Sequence, residues 1–548
     1  MRDIHQFIGR LLRGAAIATA TLGVALVHAA APGITGTGVG GAPVFDLVAT
    51  DGYVSQPDGA SIYTWGYGCY SQPGGFVPAA VTGANCPSLK MQLPGPTLVV
   101  NQGDTVTITL HNNLPPAAGN TSILFPGFNV CSATLNPDGT CTGTPSGSAG
   151  VLTQEAKNAD TVTYTFKAST PGTHSYYSGT QGDLQVEMGL YGALIVLPAI
   201  SGLPTGYVSP SPSALPGIGL PDTCFSVGTK AQDFRLAAAA YDHVSACYDR
   251  EYLFQFSEMD PRIHNQAQSQ KDMSCTQPSG CMIIETEPYR PAYFLINGRS
   301  MPDDMDPNYA PQYPAQPYNG NPHMHPGELV LIRVVGQGRM QHPLHEHANH
   351  VRVLARDGNL LLTASASPKL AGPLLFTTST TPGQTLDGIF QFTGKGLNWD
   401  VYAHADGITT DVCVPDANGY YTTGSGAPLS APNYFEWCAD HKKPLESKPF
   451  GSVGGGGPVT LPDANILTNG AWYSGSPYLG PDANLRSVGT TPIPPFGTVA
   501  NDPGSEAGFA YMWHSHNERE ITTNNIFPGG MMTMMLVDPW VFFINEAN

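Results

Sequence analysis

Apolar runs in this chain are short, and glycine or proline bounds them: Thr97 to Val100 (TLVV) and Glu328 to Val335 (ELVLIRVV) are examples. Gly (63) and Pro (50) make up about a fifth of the 548 residues, while charged residues are 12%. Helices need longer uninterrupted segments, so the pattern predicts many short strands joined by turns. Gly95 to Pro115 (GPTLVVNQGDTVTITLHNNLP) shows the type: a strand, a Gly-Asp turn, then an alternating strand. In that second strand Thr105, Thr107 and Thr109 share one face, and Val106, Ile108 and Leu110 the other. The length suits two or three domains. The fold class expected is all-β, with two Greek-key β-sandwich domains.

Arg10 and Arg13 precede an apolar, Ala-rich stretch, Gly14 to Ala31, that ends in small residues. This is the layout of a secretory signal peptide (residues 1–31), cleaved between Ala29 and Ala31, so the mature protein is expected to be exported to the periplasm or outside the cell. An uncleaved anchor is the alternative, although the stretch is only marginally long enough to span. Ten cysteines, none in a C-x-x-C pair, agree with disulfides in an oxidising compartment. Cys131 with Cys141 and Cys275 with Cys281 are plausible local loops. Net charge is −18, and the signal contributes about +2 of it, so the mature chain is nearer −20. Such a chain is a poor ligand for nucleic acid or anionic membranes.

Beyond the signal, residues 32–41 read as a flexible lead-in and 42–198 as the first domain. Residues 199–222 are a Pro/Gly/Ser linker, and 223–548 are the second domain with a loop-rich insertion at about 424–503. Arg250 to His264 (REYLFQFSEMDPRIH) reads as the second domain's first strand pattern.

Histidines cluster late in the chain. HPLHEHANH holds His342, His345, His347 and His350, and WHSH holds His514 and His516. Residues i and i+2 of a strand point to the same face, so His345 with His347, and His514 with His516, each present two imidazoles side by side. Two such pairs meeting across strands would converge three or four nitrogens on one point, which suits copper or zinc. The bland alternative is buried histidines satisfied by hydrogen bonds. His323, His325 and His350 have weaker claims, and His174 and His404 are isolated. Asn517 to Glu520 (NERE) is either an outer layer orienting the imidazoles or a salt-bridged strand end.

H-P-x-H-x-H followed some 170 residues later by W-H-x-H and a Gly-Met pair resembles the copper motifs of the multicopper oxidases, laccase-like enzymes built from cupredoxin domains. Gly95 to Pro115, Pro171 to Val196 and Tyr293 to Asp304 also look like segments of that family, in its two-domain layout. The resemblance implies two cupredoxin-like domains, copper as cofactor, a small-molecule or metal-ion substrate, and homo-oligomers in which subunits complete the cluster. It assigns a mononuclear-centre histidine to His342 and trinuclear-centre histidines to His345, His347, His514 and His516. The departures are sharp. Leu124, Pro126, Tyr177 and Gly179 stand where the first domain's imidazoles belong. Ser515 replaces the blue-copper cysteine, and Glu520 the second mononuclear histidine; Met531 or Met532 would be the axial methionine. A neutral hydroxyl is a poor copper ligand, and only four of the eight trinuclear histidines implied by the resemblance remain. The expectation is a copper-binding oxidoreductase with a reduced histidine site and no laccase activity; the alternative is a cupredoxin scaffold without copper chemistry. Tyr177 would be a phenol partner to the site or, more simply, packing.

Overall fold

Val106, Ile108 and Leu110 are fully buried in the strand Thr105–Asn112, as the alternation predicts. In the neighbouring strand Thr161–Lys167 the inward residues Phe166, Tyr164 and Val162 lie opposite them in that order. A computed structural model describes residues 31–198, 238–392, 414–427 and 508–537, apart from positions 39, 79–80, 82, 244–245, 325–327 and 367, together with the separate positions 439, 475–478 and 544. The signal segment up to residue 30, the linker, His325, His404 and most of the insertion lie outside these residues.

The first domain is a sandwich of two sheets. One orders its strands Thr161–Lys167, Thr105–Asn112, Val44–Ser55 and Ser61–Cys69; the other orders Gly172–Tyr177, Tyr191–Leu197, Leu98–Asn101, Gly33–Thr35 and Gly75–Val77. Trp65, Tyr67, Tyr164, Phe166 and Tyr176 fill the space between them. Burying each such ring contributes about 1.5–3 kcal/mol. The expected lead-in is not loose throughout: Gly33–Thr35 is a strand of the second sheet, pairing Ile34 with Leu98 and Phe76, and Ile34 is buried. An apolar side chain flanked by small residues found a sheet edge that a glycine-rich composition did not reveal.

The second domain is again two sheets. The larger runs Tyr293–Ile296, Arg250–Met259, Leu329–Gly336, Thr385–Gln391, Val351–Arg356 and Asn359–Leu360, with Leu374–Leu375 beside Val351–Arg356. The other runs His323–Met324, Met532–Val537, Gly508–Ser515, His342–Glu346 and Thr377–Thr380, with Gly475–Tyr478 beside Gly508–Ser515. The strand expected over Arg250 to His264 stops at Met259. Asp260 then caps a helix, Pro261–Gln270, by accepting from Arg262 N at 3.0 Å, with proline in the first turn.

Arg250–Met259 is buried along its whole length, polar residues included. Tyr252, Phe254 and Phe256 join the second domain's core on one face. On the other face Leu253 packs with Val99, Ala193 and Ile195 of the first domain, and Glu251 bonds Arg333 at 2.9 Å. Arg333 also reaches Thr173 of the first domain at 3.0 Å and stands 3.7 Å from Asp387. Disulfides join Cys69–Cys86, Cys131–Cys141 and Cys275–Cys281, the last two being the expected local loops.

Candidate metal centre

The two His-x-His pairs lie on one face of one sheet because of register. His345 pairs directly with His514 across the antiparallel strands His342–Glu346 and Gly508–Ser515, and directly opposed residues share a face. His516 N bonds Pro343 O at 2.8 Å, which extends the pairing past the strand end and brings His516 to the same side. Ring centroids are 4.6 Å apart for His345–His347, 4.8 Å for His345–His516, 5.1 Å for His347–His514 and 5.6 Å for His345–His514. The structure thus gathers all four histidines singled out for the trinuclear side. His345, His347 and His514 are buried, whereas His516 is exposed.

Their outer contacts orient the rings. His514 Nδ1 lies 2.7 Å from the Ser515 carbonyl. A carbonyl only accepts, so His514 carries its proton on Nδ1 and turns a lone pair on Nε2 towards His347 Nε2, 3.0 Å away. His345 Nδ1 is 2.7 Å from Thr377 Oγ1, and Trp513 Nε1 donates to the His347 carbonyl at 3.1 Å. Burial, with His514 and His516 adding to it, holds the His345 imidazole down at about 4. Burial also lowers that of His514. Both rings are therefore neutral at pH 7, the form that binds metal.

Four imidazoles are a donor set of a kind that suits copper, and one spacing among them is of the right size. Two imidazole nitrogens on one ion, each about 2.0–2.1 Å from it, stand about 2.8–3.4 Å apart for angles near 90–110°. The His347–His514 separation of 3.0 Å falls in that range. The rings are gathered but not closed: among the described residues no three His, Cys, Asp or Glu side chains already stand at full metal-ligand spacing.

His342 takes a different place. It sits three residues before His345 on the same strand and turns to the opposite face, with Leu344 and Ser515. Its Nδ1 is 2.9 Å from Glu520 Oε2 and its Nε2 is 2.9 Å from Glu258 Oε2, all three side chains being fully buried. His342 thus stands apart from the other four expected metal ligands, with both nitrogens serving carboxylates. Burial alone would lower its pKa, but the hydrogen bonds to Glu258 and Glu520 push it up to about 9. Ser515 Oγ donates to Glu520 Oε2 at 2.5 Å, and Asn517 Nδ2 to Glu520 Oε1 at 2.8 Å. Met531 joins the group through its backbone, which accepts from Ser515 N at 2.9 Å and donates to Glu520 O at 2.8 Å. The four positions aligned with a mononuclear centre do come together, but the site is closed by ion pairing and does not fit copper. Sequence reasoning missed Glu258, whose partner lies 84 residues away. Of the two readings of NERE, Glu520 follows the first, a carboxylate that orients an imidazole, here that of His342.

In the first domain Leu124 N bonds Tyr177 O at 2.7 Å, so the two segments without imidazoles lie side by side. The Leu124 side chain also closes over Gly179. Tyr177 is half-buried against a cluster that includes Leu93, Tyr191 and Met259, which is a packing role. His174 bonds Thr170 O at 2.9 Å and faces Phe128; His350 rests on Phe376; His323 lies 3.3 Å from Asn321.

Known proteins show where the likeness lies. The family model described as multicopper oxidase matches residues 76–200. Multicopper oxidase GIP1 of Gibberella zeae is 30% identical over 114 residues, which are 20% of this chain and 15% of that protein. Laccase ustL of Ustilaginoidea virens is 33% identical over 107 residues, 19% of this chain and 14% of that protein. The alignments thus span about a seventh of each of these relatives. Among solved structures, the blue copper oxidase from Nitrosomonas europaea is 14% identical, with 90% of this chain and 85% of that one covered at a TM-score of 0.41. The likeness in sequence thus falls on residues 76–200, which include Leu124, Pro126, Tyr177 and Gly179, where the expected ligands are missing.

Proposed function

We propose that this multicopper oxidase-like, cupredoxin-fold chain is an exported copper-binding oxidoreductase with a single reduced site made of His345, His347, His514 and His516. The observation that carries the reading is the convergence of four imidazoles from two paired strands, with Nε2 atoms of His347 and His514 at 3.0 Å. Copper bound there would supply one-electron chemistry. The chain's own contribution is positional. The Ser515 carbonyl and Thr377 hold two Nδ1 atoms, which turns Nε2 towards the centre. Burial keeps the His345 and His514 rings neutral, and exposed His516 is the side open to a small-molecule or metal-ion substrate. Replacement of the blue-copper cysteine by Ser515 and the closed His342 cluster remove the family's usual electron entry, so no laccase activity is expected.

The test is copper titration of the metal-free mature protein, followed by dialysis, metal analysis and electron-spin resonance. About one retained copper per chain, with nitrogen hyperfine structure that weakens in His347→Ala, supports the site. No retained copper would leave a cupredoxin scaffold whose histidines are packing.

A further inference from the structure

We propose that the position aligned with the mononuclear copper centre is a proton-bearing latch, Glu520–His342–Glu258–Tyr289–Glu187, that ties the two domains together and opens in alkali. Carboxylates accept hydrogen bonds and do not donate unless protonated. His342 has one on each nitrogen at 2.9 Å, so both bonds can run to ionised carboxylates only when the ring carries two protons. Past Glu258 the chain continues into the first domain. Tyr289 Oη stands 3.0 Å from Glu258 Oε1 and 2.5 Å from Glu187 Oε2. A hydroxyl has one proton for these two contacts, so Tyr289 donates to one of the two carboxyl groups at a time while bridging both. The positive charge of the His342 ring offsets part of the negative charge of the buried carboxyl groups on either side of it.

Further groups pack around the chain. Glu258 Oε1 also accepts from Arg339 N at 2.6 Å and Met340 N at 2.9 Å, and the Arg339 guanidinium lies over the Tyr289 ring while pairing with Glu287. On the first-domain side Glu187 Oε1 accepts from Asp260 N at 2.7 Å and is 3.6 Å from His264 Nε2. His264 Nδ1 donates to Tyr63 O at 2.5 Å. Asp260 is paired with Arg262, and the buried Tyr191 feels both Glu258 and Glu187. Burial and the two carboxylates push the Tyr289 hydroxyl well above its ordinary range, so it keeps its proton. His342 is the member that gives way first, as pH rises through about 9. Neutral His342 cannot bond both Glu258 and Glu520 as carboxylates. Ser515 at the other end is bonded to Glu520, so the latch also holds the strand end between His514 and His516.

The experiment uses the full mature chain without metal, so a failed copper site does not affect it. Carbon-13-labelled histidine is followed by NMR from pH 6 to 10, with the His342 signal identified by its loss in His342→Gln. Thermal unfolding is recorded over the same range for the parent, His342→Gln, Glu187→Gln and the double variant. The latch predicts a His342 midpoint near 9 and a fall in Tm through the same range. It predicts non-additive Tm losses for the two substitutions at pH 7 that become additive at pH 10. If His342→Gln does not fold, Tyr289→Phe replaces it in the cycle. A His342 midpoint in the ordinary histidine range, or additive losses at pH 7, overturns the proposal.

Discussion

Ser515→Cys restores the residue that the multicopper oxidase pattern calls for, and the structure says that it will not restore the centre. Ser515 Oγ is fully buried and donates to Glu520 Oε2 at 2.5 Å, while its oxygen accepts from Asn517 N at 3.2 Å. A hydrogen bond to a buried charged group is worth about 1.5–3 kcal/mol, and a thiol is a weak replacement donor. At about 2–4 °C per kcal/mol for a domain of this size, Tm should fall by roughly 3–12 °C. Added copper should produce no intense blue thiolate band, because both nitrogens of His342 are held by Glu258 and Glu520. The assay is thermal unfolding and visible absorption of parent and variant, each with and without copper. A variant as stable as the parent that turns blue with about one added copper would refute the reasoning that His342 is closed to metal.

Further substitutions probe other parts of the same account. Arg333→Met leaves Glu251 and Asp387 buried without their cation and should cost about 3–5 kcal/mol in a denaturant series, with loss of protection between the domains. Trp513→Phe removes the donor to the His347 carbonyl and should cost about 1–2 kcal/mol of stability. It should also weaken copper retention, measured by the same dialysis, since His347 is then less firmly placed. Asp304 is fully buried, and burial raises its carboxyl well above the ordinary range. Its folded pKa exceeds its unfolded one, so its penalty is present at neutral pH and vanishes at about pH 3, below both values. Asp304→Asn should therefore raise Tm at pH 7 and leave it unchanged at about pH 3; an equal or lower Tm at pH 7 would count against this.

Period-two alternation made the fold readable, because a half-buried strand must put Val106, Ile108 and Leu110 on one side and threonines on the other. The same parity made the histidine pairs readable: His345 with His347, and His514 with His516, share a face by local geometry alone. Local chemistry was harder where two signals competed. Arg250 to His264 reads as one strand pattern, yet the Asp-Pro step inside it starts a helix, since a capping carboxylate and proline's fixed φ favour the turn over the strand. Which strands pair, and in what register, was not in the local pattern. Only the tertiary structure opposed His345 to His514 and brought Glu258 and Glu520 to the two sides of His342. A side chain's protonation and its availability to metal depend on every charge packed around it. Those charges come from segments 84 and 178 residues distant in the chain, so only the folded structure decided that His342 holds protons while His345, three positions on, is a neutral ring beside His347 and His514.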